Sequence, residues 1–391
     1  MANAKSKSEG CIYLDNAATT PLDRRVLDVM YFTLSKSVIG NAHSKHHLYG
    51  GASAMTVQKA REQVAASIGA NPNEIIFTSG ATESNNFVIK GLANHLKALS
   101  KTRIITTVVE HKSVLEPLAQ LKADGFEIVP LYCKQCGMIT ADVIEKALDE
   151  RTGLVCVQAV NNETGTIQPL AKIAEVLEGR DVLFHCDAAQ ALGKMPFSVE
   201  IAGIDFASLS AHKVHGPQGI GALYVKSGLL KSLEPLIAGG GHEFGLRSGT
   251  LPVALCAGFG IACSLIEDDT ERLQALRDAF LARLTKLEPV VYGHREPHKN
   301  VPGIINISFP GIDNETLVMA LPGLAFGIGS ACSSTGTSVS HVIKAITGEE
   351  QAARESIRVS IGRLTTKQEM DQASEEIIAA VTSIRELQEV T

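Results

Sequence analysis

The 391-residue chain has no run of lysine and arginine, no apolar stretch of membrane-spanning length, no internal repeat and no low-complexity linker. Each absence removes a class of protein. Its 36 basic residues face 42 acidic ones, for a net charge of −6 with no basic counter-block. Such a surface offers little to a phosphate backbone or an anionic membrane, so neither is expected as a binding partner. No window approaches the ~18 uninterrupted apolar residues of a transmembrane helix, and no apolar segment follows Lys5 and Lys7. A cytoplasmic protein whose partners are small molecules or proteins is the expectation. There thiols stay reduced, so the eight cysteines are not four disulfides. Most are expected to be small buried hydrophobes. The useful question is whether one of them differs.

At roughly 100–200 residues per domain, the length suits two domains or one large α/β unit. Short apolar runs at Glu74–Thr78, Arg103–Val109, Phe126–Leu131, Leu154–Val160, Val182–Asp187, Asp205–Ser210 and Gly219–Val225 alternate with helical patterns. Continuous apolar character fits strands covered on both faces, and the alternation predicts a mainly parallel seven-stranded sheet between helices. After about residue 252 a long helical region runs through Leu287, followed by a strand at Ile304–Phe309 and a closing helix. That helix opens on a Thr366-x-x-Glu369 capping box and carries Met370, Ala373, Ile377, Val381 and Ile384 on one face. This predicts a large α/β domain over 16–263 and a smaller α+β domain over 1–15 and 264–391.

In an open parallel sheet, ligands bind beyond the carboxyl ends of the strands. Five such positions carry polar chemistry. Ser79-Gly80-Ala81-Thr82 runs into a helix, and its free N–H groups and hydroxyls suit a phosphate or an ordinary N-cap equally. His111 follows the second strand. Asn161-Asn162 forms a turn after the fourth. Asp187 closes the fifth, with Gln190 three residues on, and a carboxylate there needs a cationic partner. Lys213, in Ser210-Ala211-His212-Lys213, ends the sixth beside a Gly-rich turn. A desolvated amine opposite a carboxylate is the arrangement pyridoxal phosphate requires. Two other patterns carry no such company. Cys133-x-x-Cys136 has no second cysteine pair, and His294-x-x-x-His298 has no further ligands, so no metal site is expected.

With these residues in place, the chain resembles the cysteine desulfurases of the class V aminotransferase family, from Tyr13-Leu14-Asp15-Asn16-Ala17-Ala18-Thr19-Thr20-Pro21 to Ser356-Ile357-Arg358-Val359-Ser360. The resemblance implies the fold type I architecture of pyridoxal-phosphate enzymes. It makes Lys213 the Schiff-base lysine, His111 the stacking ring and acid/base partner, and Asp187 the partner of the pyridine nitrogen. Gln190 and Asn162 would lie near the ring hydroxyl. Ala81, Thr82, Ser210 and His212 would hold the phosphate, completed by Thr250 from the neighbouring subunit of a homodimer with shared active sites. Asn41, Asn162 and Arg358 would bind the L-cysteine substrate, and Cys332, in a loop over about 325–340, would take its sulfur as a persulfide for an acceptor protein. The spacing from Cys332 to Arg358 is similar to that of the long-loop branch. Ala42 and Val339 stand where proline is usual. The tail after the closing helix is shorter than that with which some relatives contact an iron–sulfur scaffold, so iron–sulfur assembly, tRNA thiolation and DNA phosphorothioation stay open as destinations. A selenocysteine lyase or aminotransferase of the same fold, or a non-enzymatic scaffold, are the alternatives. Cys332 separates the first two from a desulfurase, and Lys213 speaks against the third.

Overall fold

The computed structural model describes residues 10–35, 40–329 and 339–390. The strands, in chain order, are β1 (Ile12–Tyr13), β2 (Ile75–Thr78), β3 (Arg103–Thr107), β4 (Glu127–Leu131), β5 (Thr152–Cys156), β6 (Leu183–Asp187), β7 (Phe206–Ser210), β8 (Gly221–Val225), β9 (Val290–Tyr292), β10 (Ile304–Ser308), β11 (Leu324–Ala325), β12 (Gly327–Ile328) and β13 (Ser356–Ser360). The helices are α1 (Arg24–Leu34), α2 (Leu48–Ser67), α3 (Ala81–Gly91), α4 (Ala93–Ala98), α5 (Lys112–Ala123), α6 (Ala141–Ala147), α7 (Leu170–Leu177), α8 (Val253–Ser264), α9 (Thr270–Leu284), α10 (Asn314–Ala320), α11 (His341–Thr347), α12 (Glu350–Glu355) and α13 (Lys367–Val390).

The expected seven-stranded sheet is present, in the order β2-β8-β7-β6-β5-β3-β4. Successive residues of its strands enter opposite cores. Ile75, Phe77, Ile105, Val155 and Ala207 join one cluster, whereas Ile76, Ile104, Leu154 and Phe206 join the other. Both faces are therefore dry, which is why these strands read as unbroken apolar runs. One strand departs from the parallel pattern: β8 runs antiparallel to both β2 and β7. Only residues 211–220 join β7 to β8, too short a link for the crossover that a parallel partner requires. The start of β8 consequently lies at the same edge of the sheet as the ends of its neighbours, with Gly221 opposite both Thr78 and Ser210.

A second core gathers Ile12 and Leu14 with residues of α9, α10 and α13 around an antiparallel sheet of order β12-β13-β10-β9. The closing helix is capped as its sequence predicts: the Thr366 N–H donates to Glu369 Oε2 at 2.7 Å, and the Glu369 N–H to Thr366 Oγ1 at 3.2 Å. Two continuous helical patterns are each broken in the structure. Residues 82–98 divide between α3 and α4 at Leu92, and the stretch after 252 divides between α8 and α9 around Ile266–Asp269. No helix among the described residues is long and apolar enough to cross a membrane.

The edge strand β2 is held by a buried ion pair. Glu243 accepts from both terminal nitrogens of Arg61 in α2, at 2.6 and 2.8 Å, and from the Phe77 N–H at 2.6 Å. One carboxylate thereby fixes the segment around residue 243 to both the helix and the strand, where Arg61 Nη1 also donates to the Ile75 carbonyl. Removing it leaves a buried guanidinium uncompensated, so Glu243→Ala is expected to cost about 3–5 kcal/mol in denaturant unfolding. A loss within experimental error of zero would contradict this account.

Candidate functional site

The residues at the carboxyl edge of the sheet assemble into two connected groups. The first is a cup with the donors and open backbone that suit an anion. The helix α3 begins at Ala81, so the N–H groups of Ala81 and Thr82 belong to its first turn, where no intrahelical acceptor exists. Gly80 leads into the helix at φ +155°, and Gly221 lies against it. A Cβ on Gly221 would sit 2.4 Å from the Leu209 carbonyl oxygen and 2.6 Å from Gly80 Cα, which no side chain tolerates. Ser210 closes β7 beside Gly80, and His212 follows with its Nδ1 3.2 Å from Thr19 Oγ1. Burial, reinforced by the charges of Lys213 and Lys194, pushes the His212 imidazole down to about 4. At neutral pH it is an uncharged hydrogen-bonding group. Gly221→Ala should destabilise the protein by about 1–3 kcal/mol and weaken anion binding at the cup, read by thermal unfolding with and without inorganic phosphate. An unchanged unfolding temperature and phosphate response would contradict the packing described.

The second group contains an amine, a carboxylate and an imidazole from three strand ends. Lys213 lies in a short helical turn, Ala211–Lys213, immediately after β7. Its Nζ donates to the carbonyl oxygens of Ala17 at 2.6 Å and Ala18 at 2.7 Å. Gln190 Nε2 donates to the same Ala17 oxygen at 2.8 Å, while its buried Oε1 has no partner. Asp187, at the end of β6, accepts from the Ala189 N–H at 3.0 Å and from Asn85 Nδ2 at 2.8 Å. His111 caps α5, and its Nδ1 accepts from the Ser113 N–H at 3.1 Å. Burial lowers the His111 pKa, Asp187 opposes that shift, and Lys213 adds to it, so both charged groups lie within electrostatic reach of the His111 ring.

The segment from Asp15 to Thr20 links this group to the second core. Arg358, on β13, donates to Asp15 Oδ1 at 2.8 Å and to the Asn162 carbonyl at 3.0 Å, leaving its buried Nε–H without a partner. Asn161 fixes the turn that contains Asn162: its Nδ2 donates to the Val109 carbonyl at 3.1 Å, and its Oδ1 accepts from the Glu163 N–H at 2.9 Å. Glu163, buried, accepts a hydrogen bond from the Ser340 hydroxyl at the start of α11. A Cβ on Gly329 would lie 2.3 Å from Ser340 Cβ, so the chain on either side of 330–338 meets at this turn.

Among the expected site residues, two stand outside these contacts. Asn41 is exposed, its Oδ1 accepting from the His43 N–H at 2.9 Å. Thr250 is exposed three residues after Arg247, which pairs with Glu83 in the first turn of α3 at 2.9 Å. Cys332 lies outside the described residues. Of the other cysteines, Cys156, Cys186, Cys256 and Cys263 are buried, and burial raises each thiol. Cys133 is half-buried and pushed up to about 12 by the same cause. Cys11 and Cys136 are half-buried. His298 pairs with Glu296 at 3.2 Å, and the His294 N–H donates to Thr166 Oγ1 at 3.1 Å.

Sequence reasoning passed over several residues that the structure places here. Asn85 sits four positions after Ala81, on the helix face that carries the cup, and Ser113 follows His111 by two. Each had a positional signal. Lys194 had none: its Nζ donates to the Lys213 carbonyl at 3.3 Å, and burial, with the nearby charges of Lys213 and Arg358, lowers it to about 7.

Known proteins align with this arrangement over nearly the whole chain. A family model described as aminotransferase class-V matches residues 12–373. The cysteine desulfurase of Mus musculus is 44% identical over 380 residues, 96% of this chain and 82% of that protein. The solved structure of a NifS-like protein superposes with a TM-score of 0.88 at 35% identity, covering 95% of this chain and 99% of its own. That of SspA in complex with cysteine gives 0.78 at 36% identity, with 89% of this chain and 98% of its own covered.

Proposed function

This chain belongs to the cysteine desulfurases of the aminotransferase class-V family, and on that premise we propose that it converts L-cysteine to L-alanine and carries the sulfur away as a persulfide on Cys332. The observation that carries the reading is the convergence of strand ends at one edge of the sheet: Lys213 after β7, Asp187 ending β6 and joined through Asn85 and Ser113 to His111, and the close approach of Gly80 and Gly221. Pyridoxal phosphate fits these residues by chemistry. The α3 N-terminus, Thr82, Ser210 and His212 suit its phosphate, Gly80 and Gly221 leave room for it, and Asp187 suits its pyridine nitrogen. Gln190 and Asn162 would lie near its ring hydroxyl, and Lys213 would supply the tethering amine. When bound, the cofactor supplies an electron sink for the substrate carbons.

The protein's own groups do the rest. The unpartnered Nε–H of Arg358 points to a carboxylate contact, with Asn162 and Asn41 completing substrate binding. The Lys213 amine takes and returns a proton at the substrate's α-carbon, and the His111 ring serves as its acid/base partner. The Cys332 thiolate attacks the substrate sulfur. A sulfur–sulfur bond forms, the carbon–sulfur bond breaks, and its electron pair stays with carbon, which gains a proton to give alanine. One thiol and one cysteine thus become one persulfide and one alanine.

The homodimer belongs to the same reading. Leu27, Tyr31, Phe32 and Leu34 on α1 and Leu48, Tyr49 and Met55 on α2 are exposed, an apolar surface that a second copy would cover. Thr250 lies on the segment that Glu243 ties to α2, and a partner's cup is its proposed destination. A reducing cytoplasm suits a thiol that must stay free, and an acceptor protein must then collect the sulfur. Incubating the purified protein with L-cysteine and measuring alanine alongside protein-bound sulfane sulfur tests the proposal. Equimolar formation of the two supports it, and alanine without bound sulfur, or neither, overturns it.

A further inference from the structure

A line of buried hydrogen bonds joins Asp187 to His111 through two residues that the proposed reaction does not use. Asn85 is wholly buried, and its Nδ2 donates to Asp187 Oδ2 and to Ser113 Oγ, both at 2.8 Å. Ser113 Oγ lies 2.8 Å from His111 Nδ1, which also accepts from the Ser113 N–H at 3.1 Å. A backbone N–H can only donate. His111 Nδ1 must therefore present its lone pair, and the proton of the neutral ring resides on Nε2. The Asn85 amide is oriented just as firmly, because both hydrogens of its Nδ2 are engaged and a flipped amide would turn its oxygen towards the Asp187 carboxylate. Accepting from Asn85 leaves the Ser113 hydroxyl hydrogen to point at Nδ1.

We propose that Asn85 and Ser113 are positioning residues that hold the Asp187 carboxylate and lock His111 as its Nε2–H tautomer, so that one chain of donors sets both groups. The assignment extends the desulfurase reading, within which the Nε2–H is the proton His111 brings to the substrate. It also accounts for a ring kept neutral. Donors at Nδ1 oppose a second proton there, adding to burial and to the charges of Lys213, His341 and Lys112, while Asp187 acts in the other direction.

The test is nitrogen NMR of the histidine-labelled holoenzyme, with His111 assigned by its absence in His111→Gln. The wild type should show a lone-pair Nδ1 and a protonated Nε2. Ser113→Ala and Asn85→Ala should each raise the His111 pKa towards the ordinary histidine value, and the double variant should raise it no further. Kinetically, each single change should lower kcat about tenfold with KM nearly constant, and the double variant should fall little below the worse single, because both cut one chain. A protonated Nδ1 in the wild type, an unmoved His111 titration in both single variants, or multiplicative losses in the double variant overturns the proposal. Ser113→Ala retains the backbone donor and a small buried side chain, so it guards against misfolding of Asn85→Ala. If the wild type yields no alanine while the NMR results hold, the desulfurase reading falls and the assignment of Asn85 and Ser113 stands.

Discussion

Lys213→Ala is expected to abolish the visible absorbance of the bound cofactor and to lower alanine formation from L-cysteine by about 10³-fold or more. The amine has two proposed duties, tethering the cofactor and moving a proton at the substrate's α-carbon, and no neighbour replaces it. Lys194 is the nearest alternative amine in the described contacts, yet its Nζ points at the Lys213 backbone carbonyl. Its depressed pKa does not help from there. The position of Lys213 is fixed by the fold: β7 ends, a single helical turn places the lysine, and the Ala17 and Ala18 carbonyls orient its Nζ. Absorbance spectra and a coupled alanine assay check the prediction together. A variant that keeps both colour and rate would remove Lys213 from the mechanism.

Cys332→Ser is expected to leave cofactor binding intact while lowering alanine formation by about 10³-fold or more, since a lone nucleophile has been removed. The reaction needs a thiolate, and burial holds Cys156, Cys186, Cys256 and Cys263 as thiols, with Cys133 pushed up to about 12. The chain on either side of 330–338 meets at the Glu163–Ser340 contact, next to the turn whose Asn162 carbonyl holds Arg358. Cys136→Ser serves as the control and should match the wild-type rate. Retained activity in Cys332→Ser would transfer the sulfur chemistry to another group.

The sheet was legible because its physics is local. Each strand is apolar on both faces, so Ile104 and Ile105 signal burial without any knowledge of which core each enters. The chemistry-bearing residues were legible because strand ends in such a sheet converge on one edge. Direction was harder. That β8 runs antiparallel follows from the length of residues 211–220, a topological constraint that hydrophobic patterning does not express. The break at Leu92 and the one around Ile266–Asp269 escaped because apolar spacing continues through both. Asn85 and Ser113 escaped for a different reason: each resembles an ordinary helix residue until Asp187, 102 positions along the chain from Asn85, is brought beside Asn85 and Ser113 joins them. Lys194 is a similar case, a lysine whose burial is created entirely by tertiary contacts.

The eight cysteines divide in the same way. The seven described cysteines are free, and burial raises five of them: Cys133, Cys156, Cys186, Cys256 and Cys263. Cys332, the proposed sulfur carrier, is singled out by sequence context and family likeness.

The central claim is that Cys332 receives the sulfur of L-cysteine. Peptide mass spectrometry of the protein after brief exposure to L-cysteine and rapid alkylation tests it most directly. The account predicts one added sulfur on the Cys332 peptide, formed in step with alanine and absent in both Cys332→Ser and Lys213→Ala. Alanine accumulating with the Cys332 peptide unmodified, or the added sulfur appearing on another cysteine, would contradict it.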